Sequence, residues 1–276
     1  MPSAADWLEV GDRVYVRRYA FLDQSIGAVI GGAGAVVIDT RSTGPQADEL
    51  AADLRALTDA PLVAVVNTHH HWDHAFGNER FGPPIWGHDR CAAALRDGGD
   101  AMRERVIADL PELADELAEV RIVPPDRTFD EAARLDLGDR VVELRYLGHG
   151  HTDNDVVALV PDAGVLFAGD LLENDAPPFF GDGFPVAWAE TVGQRLMPLV
   201  RDVVVPGHGT PAGRDFAERG AGELGLLARL IASLMAGTIG LDEVLATSPY
   251  PADTTRVALE RGRRELENPQ HHPRGG

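Results

Sequence analysis

The sequence predicts an α/β protein in which two β-sheets pack face to face and helices cover the outside. Apolar strand-like runs come in two groups, each followed by helical stretches, which is the grammar of layered sheets. At 276 residues the chain can bury a large core, and no linker between the groups is long enough to separate independent domains. One domain over residues 1–276 is expected, with C-terminal helices over about residues 212–268.

The first group begins with Arg13–Tyr19, which alternates apolar and polar residues. Two short apolar runs follow, Ile26–Ile30 and Ala35–Asp39, separated by a Gly-Gly-Ala-Gly turn. Gln46–Leu57 has apolar residues at helical spacing and Pro45 near its start. Leu62–Val66 reads as a buried strand, and Arg90–Val120 as helix broken at Gly98-Gly99 and Pro111. In the second group Arg134–Leu137, Val141–Leu147, Val156–Val160 and Val165–Ala168 read as strands. A helix from about Trp188 to Val200 leads into a strand at Val203–Pro206, and Glu223–Ala236 and Thr254–Glu267 read as helices. The tail Asn268–Gly276 is expected to fray.

Charge narrows the function. The chain carries 44 acidic and 25 basic residues, a net charge of −19, and every basic residue is arginine. Without lysine there is no Schiff base, no phosphate-loop lysine and no Ser–Lys dyad. The acidity opposes nucleic-acid binding, which needs a basic groove to release counterions. No apolar run approaches the roughly 20 residues of a membrane span. Met1–Trp7 lacks the basic-then-apolar pattern of a signal peptide, so a cytoplasmic protein is expected. Cys91 is the only cysteine, which permits no internal disulfide and fits a reducing compartment.

Metal-ligand residues recur where strands end. His69-His70-His71-Trp72-Asp73-His74 follows Leu62–Val66 directly. Residues two apart in an extended segment point the same way, so His69 and His71 can share one metal. Asp73 and His74 lie where the chain turns and can reach a second, while His70 points to the opposite side. His151, Asp170 and His208 each sit in a Gly-rich turn after a strand, and strand ends of one sheet converge on a single edge. His88 and His149 are read as structural, and His271 and His272 as without a role.

The run His69-x-His71-x-Asp73-His74, with Gly150-His151-Thr152, Gly169-Asp170 and Gly207-His208-Gly209, resembles the metallo-β-lactamase-fold hydrolase superfamily. The match spans roughly Tyr15 to Pro211, with these motifs in the expected order. The resemblance implies a four-layer αββα sandwich. It further implies that His69, His71 and His151 bind a first metal, that Asp73, His74 and His208 bind a second, and that Asp170 bridges them. Asp39, closing Ala35–Asp39, would support the ligands as a hydrogen-bond acceptor, and Thr152 would support them or contact substrate. Oxygen and nitrogen donors without thiolate suit two zinc ions, with manganese or iron as alternatives. Two such ions would lower the pKa of a bridging water and supply hydroxide to attack a carbonyl, with Asp73 orienting it.

The substrate is less constrained. Thiolate-ligand β-lactamases carry a cysteine at the place of Asp170 and a lysine three positions on, where this chain has Glu173. A carboxylate there repels an anionic drug, which ranks a neutral ester, thioester or lactone above a β-lactam. The segment Glu173–Trp188 holds Phe179, Phe180, Phe184 and Trp188. It reads either as an apolar substrate wall formed by Phe179, Phe180 and Trp188, or as a packing loop over the sheet edge. A mononuclear-iron persulfide dioxygenase shares the His-rich run and is the alternative from another class. The expected partner is a small acyl substrate, and nothing in the sequence sets the oligomeric state.

Overall fold

Alternation along single strands sets the layers of the computed structural model, which describes residues 6–267. The first sheet has the order β1 (Leu8–Gly11), β2 (Val14–Tyr19), β3 (Gln24–Gly31), β4 (Gly34–Ile38), β5 (Leu62–Val66), β6 (Ile85–His88) and β7 (Arg127–Phe129). The second contains β8 (Ala132–Asp136), β9 (Val141–Tyr146), β10 (Val156–Val160), β11 (Val165–Gly169) and β12 (Val203–Pro206), in the order 12-11-10-9-8. Val36 and Ile38 of β4 and Ala64 and Val66 of β5 face Val156, Ala158, Val165 and Phe167 of the second sheet in one buried cluster. The residues between them face outward: Val37 and Val65 pack under Leu50 and Leu54. On the other side Val157, Leu159, Leu166 and Ala168 pack under helical residues such as Leu224, Leu227 and Ile231. Period-two alternation thus gives each central strand two different cores, and the result is the expected αββα sandwich.

The outer layers hold α1 (Gly44–Leu57), α3 (Asp89–Asp109) and α4 (Ala114–Ala118) on the first sheet's side, with α2 (Trp72–Ala75) a single turn at the edge. The other side holds α5 (Pro185–Glu190), α6 (Arg214–Met235), α7 (Leu241–Thr247) and α8 (Ala252–Glu267). No helix among the described residues is long and apolar enough to cross a membrane.

Several elements depart from the expectation. α3 runs unbroken through Gly98-Gly99 and ends only at Leu110, before Pro111. Cys91, Leu95, Met102 and Val106 form a buried stripe along it, and Gly99 sits in that stripe. A Cβ there would stand 2.8 Å from Ile122, so the glycine serves close packing rather than a break. The helix expected from Trp188 starts at Pro185, a residue suited to a first turn, and becomes a π-helical turn over Thr191–Leu196. β1, β6, β7 and α7 were not anticipated. His271, His272 and the tail from Asn268 lie outside the described residues.

The strand directions position the site. β4 and β5 are parallel, β11 and β12 are parallel, and β9 runs with β11 because two antiparallel steps separate them. Their C-terminal ends therefore share one edge of the sandwich, where open α/β sheets place ligands. Bonds between the sheets close that edge: the Ser25 amide donates to the Gly207 carbonyl and the Val156 amide to the Thr68 carbonyl, at 2.8 and 2.7 Å.

Candidate metal centre

The structure brings His69, His71, Asp73, His74, His151, Asp170 and His208 together at that edge. After β5 the chain bends through Thr68–His70 instead of continuing as a strand, and α2 then carries Asp73 and His74 on one turn. His151 lies beyond β9, Asp170 directly after β11, and His208 directly after β12. Gly169 has φ +54° and a Cβ would meet Thr68 at 2.8 Å, so only glycine turns the chain there to aim Asp170 inward. Donor atoms of His69, His71, His151 and Asp170 form one group, and those of Asp73, His74 and His208 another.

Each imidazole is fixed from outside. The Thr68 hydroxyl donates to Asp39 Oδ2 at 2.8 Å, so its oxygen is left to accept from His69 Nδ1 at 3.1 Å. His74 Nδ1 donates to Asp39 at 2.8 Å, His151 Nδ1 to the Phe179 carbonyl at 3.1 Å, and His208 Nδ1 to the Leu22 carbonyl at 2.8 Å. His71 is reversed: its Nε2 donates to the Asp182 carboxylate at 3.0 and 3.1 Å, and its Nδ1 faces inward. Carboxylates and carbonyls only accept, so in each ring the outer nitrogen carries the proton and the inner one is available as a ligand. Asp39 occupies the place expected of it, accepting also from the Thr68 amide at 2.8 Å, in a left-handed backbone conformation with φ +67°.

The inner atoms fit a metal ion. His71 Nδ1 and His151 Nε2 stand 2.8 Å apart, His74 Nε2 and His208 Nε2 3.2 Å. Asp170 lies between the groups, Oδ2 at 3.4 Å from His151, 3.7 Å from His69 and 3.4 Å from His208, and Oδ1 at 3.3 Å from His74. Tetrahedral donors around one zinc are about 3.3 Å apart. His69 Nε2 and Asp170 Oδ1 are buried with no hydrogen-bond partner among the described residues, a cost that a bound cation would remove.

The electrostatics agree. Burial opposes a charged His208, but the Asp170 and Asp73 carboxylates outweigh it and raise it to about 11. His74 is likewise held well above its ordinary value against burial, by Asp170, Asp73 and Asp39. Asp73 and Asp170, opposed by burial too, are held well below theirs by these imidazoles. Without metal the centre balances charge with protons, which a divalent ion would displace.

A cavity of about 670 Å³ opens over the centre, lined by Trp72, Met102, Val106 and Phe179 among others. Phe179 is 59% exposed at its rim. The apolar-wall expectation is corrected for Phe180 and Trp188: both are fully buried in the α/β core, and Trp188 Nε1 donates to the Leu171 carbonyl at 3.0 Å. Thr152 is corrected as a substrate contact, because its buried amide and hydroxyl both bind Asp155, at 2.8 and 2.7 Å. Glu173 does line the cavity, but burial and the negative charge of Asp170 push it up to about 8, so its repulsion of an anion is weakened at neutral pH without metal. His70 does not point to the opposite side as expected: it lines the same cavity without joining the Asp170 group, its Nδ1 accepting from Asn154 at 2.9 Å and its Nε2 standing 3.7 Å from Asp182. His88 caps α3 by accepting from the Arg90 amide, and His149 packs on Phe184.

Sequence reasoning missed Asp182 and Arg105. Asp182 left one signal, the only charged residue between Ala176 and Trp188, set between Gly181 and Gly183. Arg105 lines the cavity from α3, and its side chain has no ion pair or hydrogen bond among the described residues.

Comparison with known proteins matches residues 20–208 to the metallo-β-lactamase superfamily. The chain is 28% identical over 144 residues to the type 2 metallo-β-lactamase of Bacteroides fragilis, covering 50% of this chain and 56% of that protein. It is 26% identical over 221 residues to a linear primary-alkylsulfatase of Pseudomonas sp., covering 67% of this chain and 41% of that one. The chain thus spans about half the length of these relatives. Among solved structures, a metallo-β-lactamase from Pontibacter korlensis superposes with a TM-score of 0.61 at 23% identity, over 79% of this chain and 97% of the other. The stereoselective inverting sec-alkylsulfatase Pisa1 from Pseudomonas sp. gives 0.72 at 18% identity, over 94% of this chain and 50% of the other. With the fold, the strand-end motifs and the family match in agreement, the chain belongs to the metallo-β-lactamase superfamily.

Proposed function

We propose that this chain is a dinuclear metal-dependent hydrolase of small acyl compounds, an ester, thioester or lactone ahead of a β-lactam. The observation that carries the reading is the set of five imidazoles, each fixed by an outer acceptor so that its other nitrogen points toward one buried carboxylate. In this reading His69, His71 and His151 would hold a first ion, Asp73, His74 and His208 a second, and Asp170 would be shared between them. Nitrogen and oxygen donors suit zinc, with manganese and iron as alternatives. Such ions supply Lewis acidity and a nucleophile near neutral pH. Asp73, held ionised and lining the cavity, would accept a hydrogen bond from the nucleophilic water and orient it. Trp72, Met102, Val106 and Phe179 enclose the acyl group and limit access of bulk water. The volume suits a small molecule, and the charge of −19 speaks against nucleic acid.

A second reading, hydrolysis of a sulfate ester, is favoured by Arg105. A guanidinium on the cavity wall, with no side-chain partner among the described residues, suits a sulfate or carboxylate, and one relative is a primary-alkylsulfatase. Comparing kcat/KM for a neutral aryl ester, a lactone, a primary alkyl sulfate and a penicillin tests both. A neutral acyl compound is expected to lead. A sulfate that leads, and loses its lead in Arg105→Ala, establishes the second reading instead. A penicillin handled about a hundredfold better than every other substrate, some 2.7 kcal/mol in the barrier, contradicts both.

A further inference from the structure

We infer that Asp182 is a positioning residue for the first metal ion, and that the C-terminal helix holds it in place through Arg261. The inference rests on His71 being a ligand of that ion. Both carboxylate oxygens of Asp182 lie within 3.1 Å of His71 Nε2, which fixes the proton on Nε2 and presents Nδ1 to the centre. The same loop fixes a second ligand, since the Phe179 carbonyl accepts from His151 Nδ1 at 3.1 Å. Two of the three imidazoles of the first group are therefore oriented by residues 179–182, which belong to none of the His- and Asp-bearing motifs.

The loop is in turn pinned by α8. Arg261 donates from Nη2 to the Asp182 carbonyl at 2.5 Å and from Nε to the Gly183 carbonyl at 2.9 Å. One turn on, Glu265 accepts from the amides of Val186 and Ala187 at 2.9 and 2.8 Å, fixing the start of α5. The Asp182 side chain is 43% exposed, so its substitution leaves no buried gap, while its partner His71 is only 13% exposed. A neutral amide at position 182 can instead donate to His71 Nε2. That shifts the ring proton to Nδ1 and removes the inward lone pair.

Zinc titration of the chelator-stripped full chain against a chromophoric competitor resolves the binding steps. His71→Ala identifies the step belonging to the first ion. Asp182→Asn is expected to weaken that step by about 10–100-fold and leave the other within about twofold. Arg261→Ala is expected to weaken the same step in the same direction, and Arg261→Lys to recover part of it, with circular dichroism unchanged. An Asp182→Asn chain that binds both ions like the parent overturns the inference. So does loss of a third binding step, which would mark His70, His71 and Asp182 as a cation site of their own. If the parent binds no zinc, or His71→Ala leaves every step intact, the reading of the metal centre itself fails.

Discussion

Asp170→Asn is expected to cut turnover roughly a hundredfold or more, about 2.7 kcal/mol of transition-state stabilisation, while the unfolding midpoint moves far less. The carboxylate stands within 3.7 Å of four imidazole nitrogens from both ligand groups. If each group holds a cation, its negative charge offsets part of their mutual repulsion, and a neutral amide of the same shape cannot. Folding suffers less, because asparagine keeps the shape of the side chain and Asp73 still faces His74 and His208, at 3.4 and 3.3 Å. His70→Ala provides the contrast: its nitrogens face Asn154 and Asp182 and its ring packs on His71, but it gives no atom to either ligand group, so its effect is expected to be mild beside that of His69→Ala. Steady-state kinetics, metal content and thermal melts on these three variants check the assignment. Equal damage from His70→Ala and His69→Ala would show that the wrong histidines have been given to the metals.

Gly207→Ala is expected to be comparably severe although it removes no ligand. A Cβ on Gly207 would stand 1.8 Å from Asp170 Oδ1 and 3.1 Å from its Cγ. The backbone cannot retreat, since the Gly207 amide donates to the Gly169 carbonyl at 2.9 Å and its carbonyl accepts from Ser25. The side chain that yields is Asp170, driven out of the gap between the two ligand groups. Gly222→Ala in α6 serves as control: a Cβ there meets nothing, and helix propensity favours alanine by about 1 kcal/mol. The expected result is loss of bound metal and of most turnover in Gly207→Ala alone. Parental metal content and turnover in that variant would mean that the close approach of these two turns does not matter.

Much of this centre was legible in the sequence because the residues proposed as ligands follow apolar strands, and strand ends are where a layered sheet collects side chains. His69, His71, Asp73, His74, His151, Asp170 and His208 all carry that signal. The supporting layer was legible only at Asp39, which also ends a strand. Asp182 reaches His71 from a loop more than a hundred residues away, and Arg261 reaches that loop from a helix whose own pattern records only its buried face. Neither distance is written in local spacing. The fold shows the same division. β4, β5, β10 and β11 are continuous apolar runs and were readable, whereas β7 has three residues, only one of them buried. Such strands exist because a neighbour supplies their hydrogen bonds. Phe180 and Trp188 mislead for a related reason: composition marks them as apolar, and only packing tells a cavity wall from a core.

Elemental analysis of the purified chain, before and after dialysis against a chelator, tests the central claim most directly. Two divalent ions per chain, predominantly zinc, with hydrolysis abolished by their removal and restored by zinc or manganese, is the predicted result. Saturation at a single iron, with no second ion bound at any zinc concentration, would contradict the dinuclear hydrolase and point to mononuclear oxygen chemistry on the same fold.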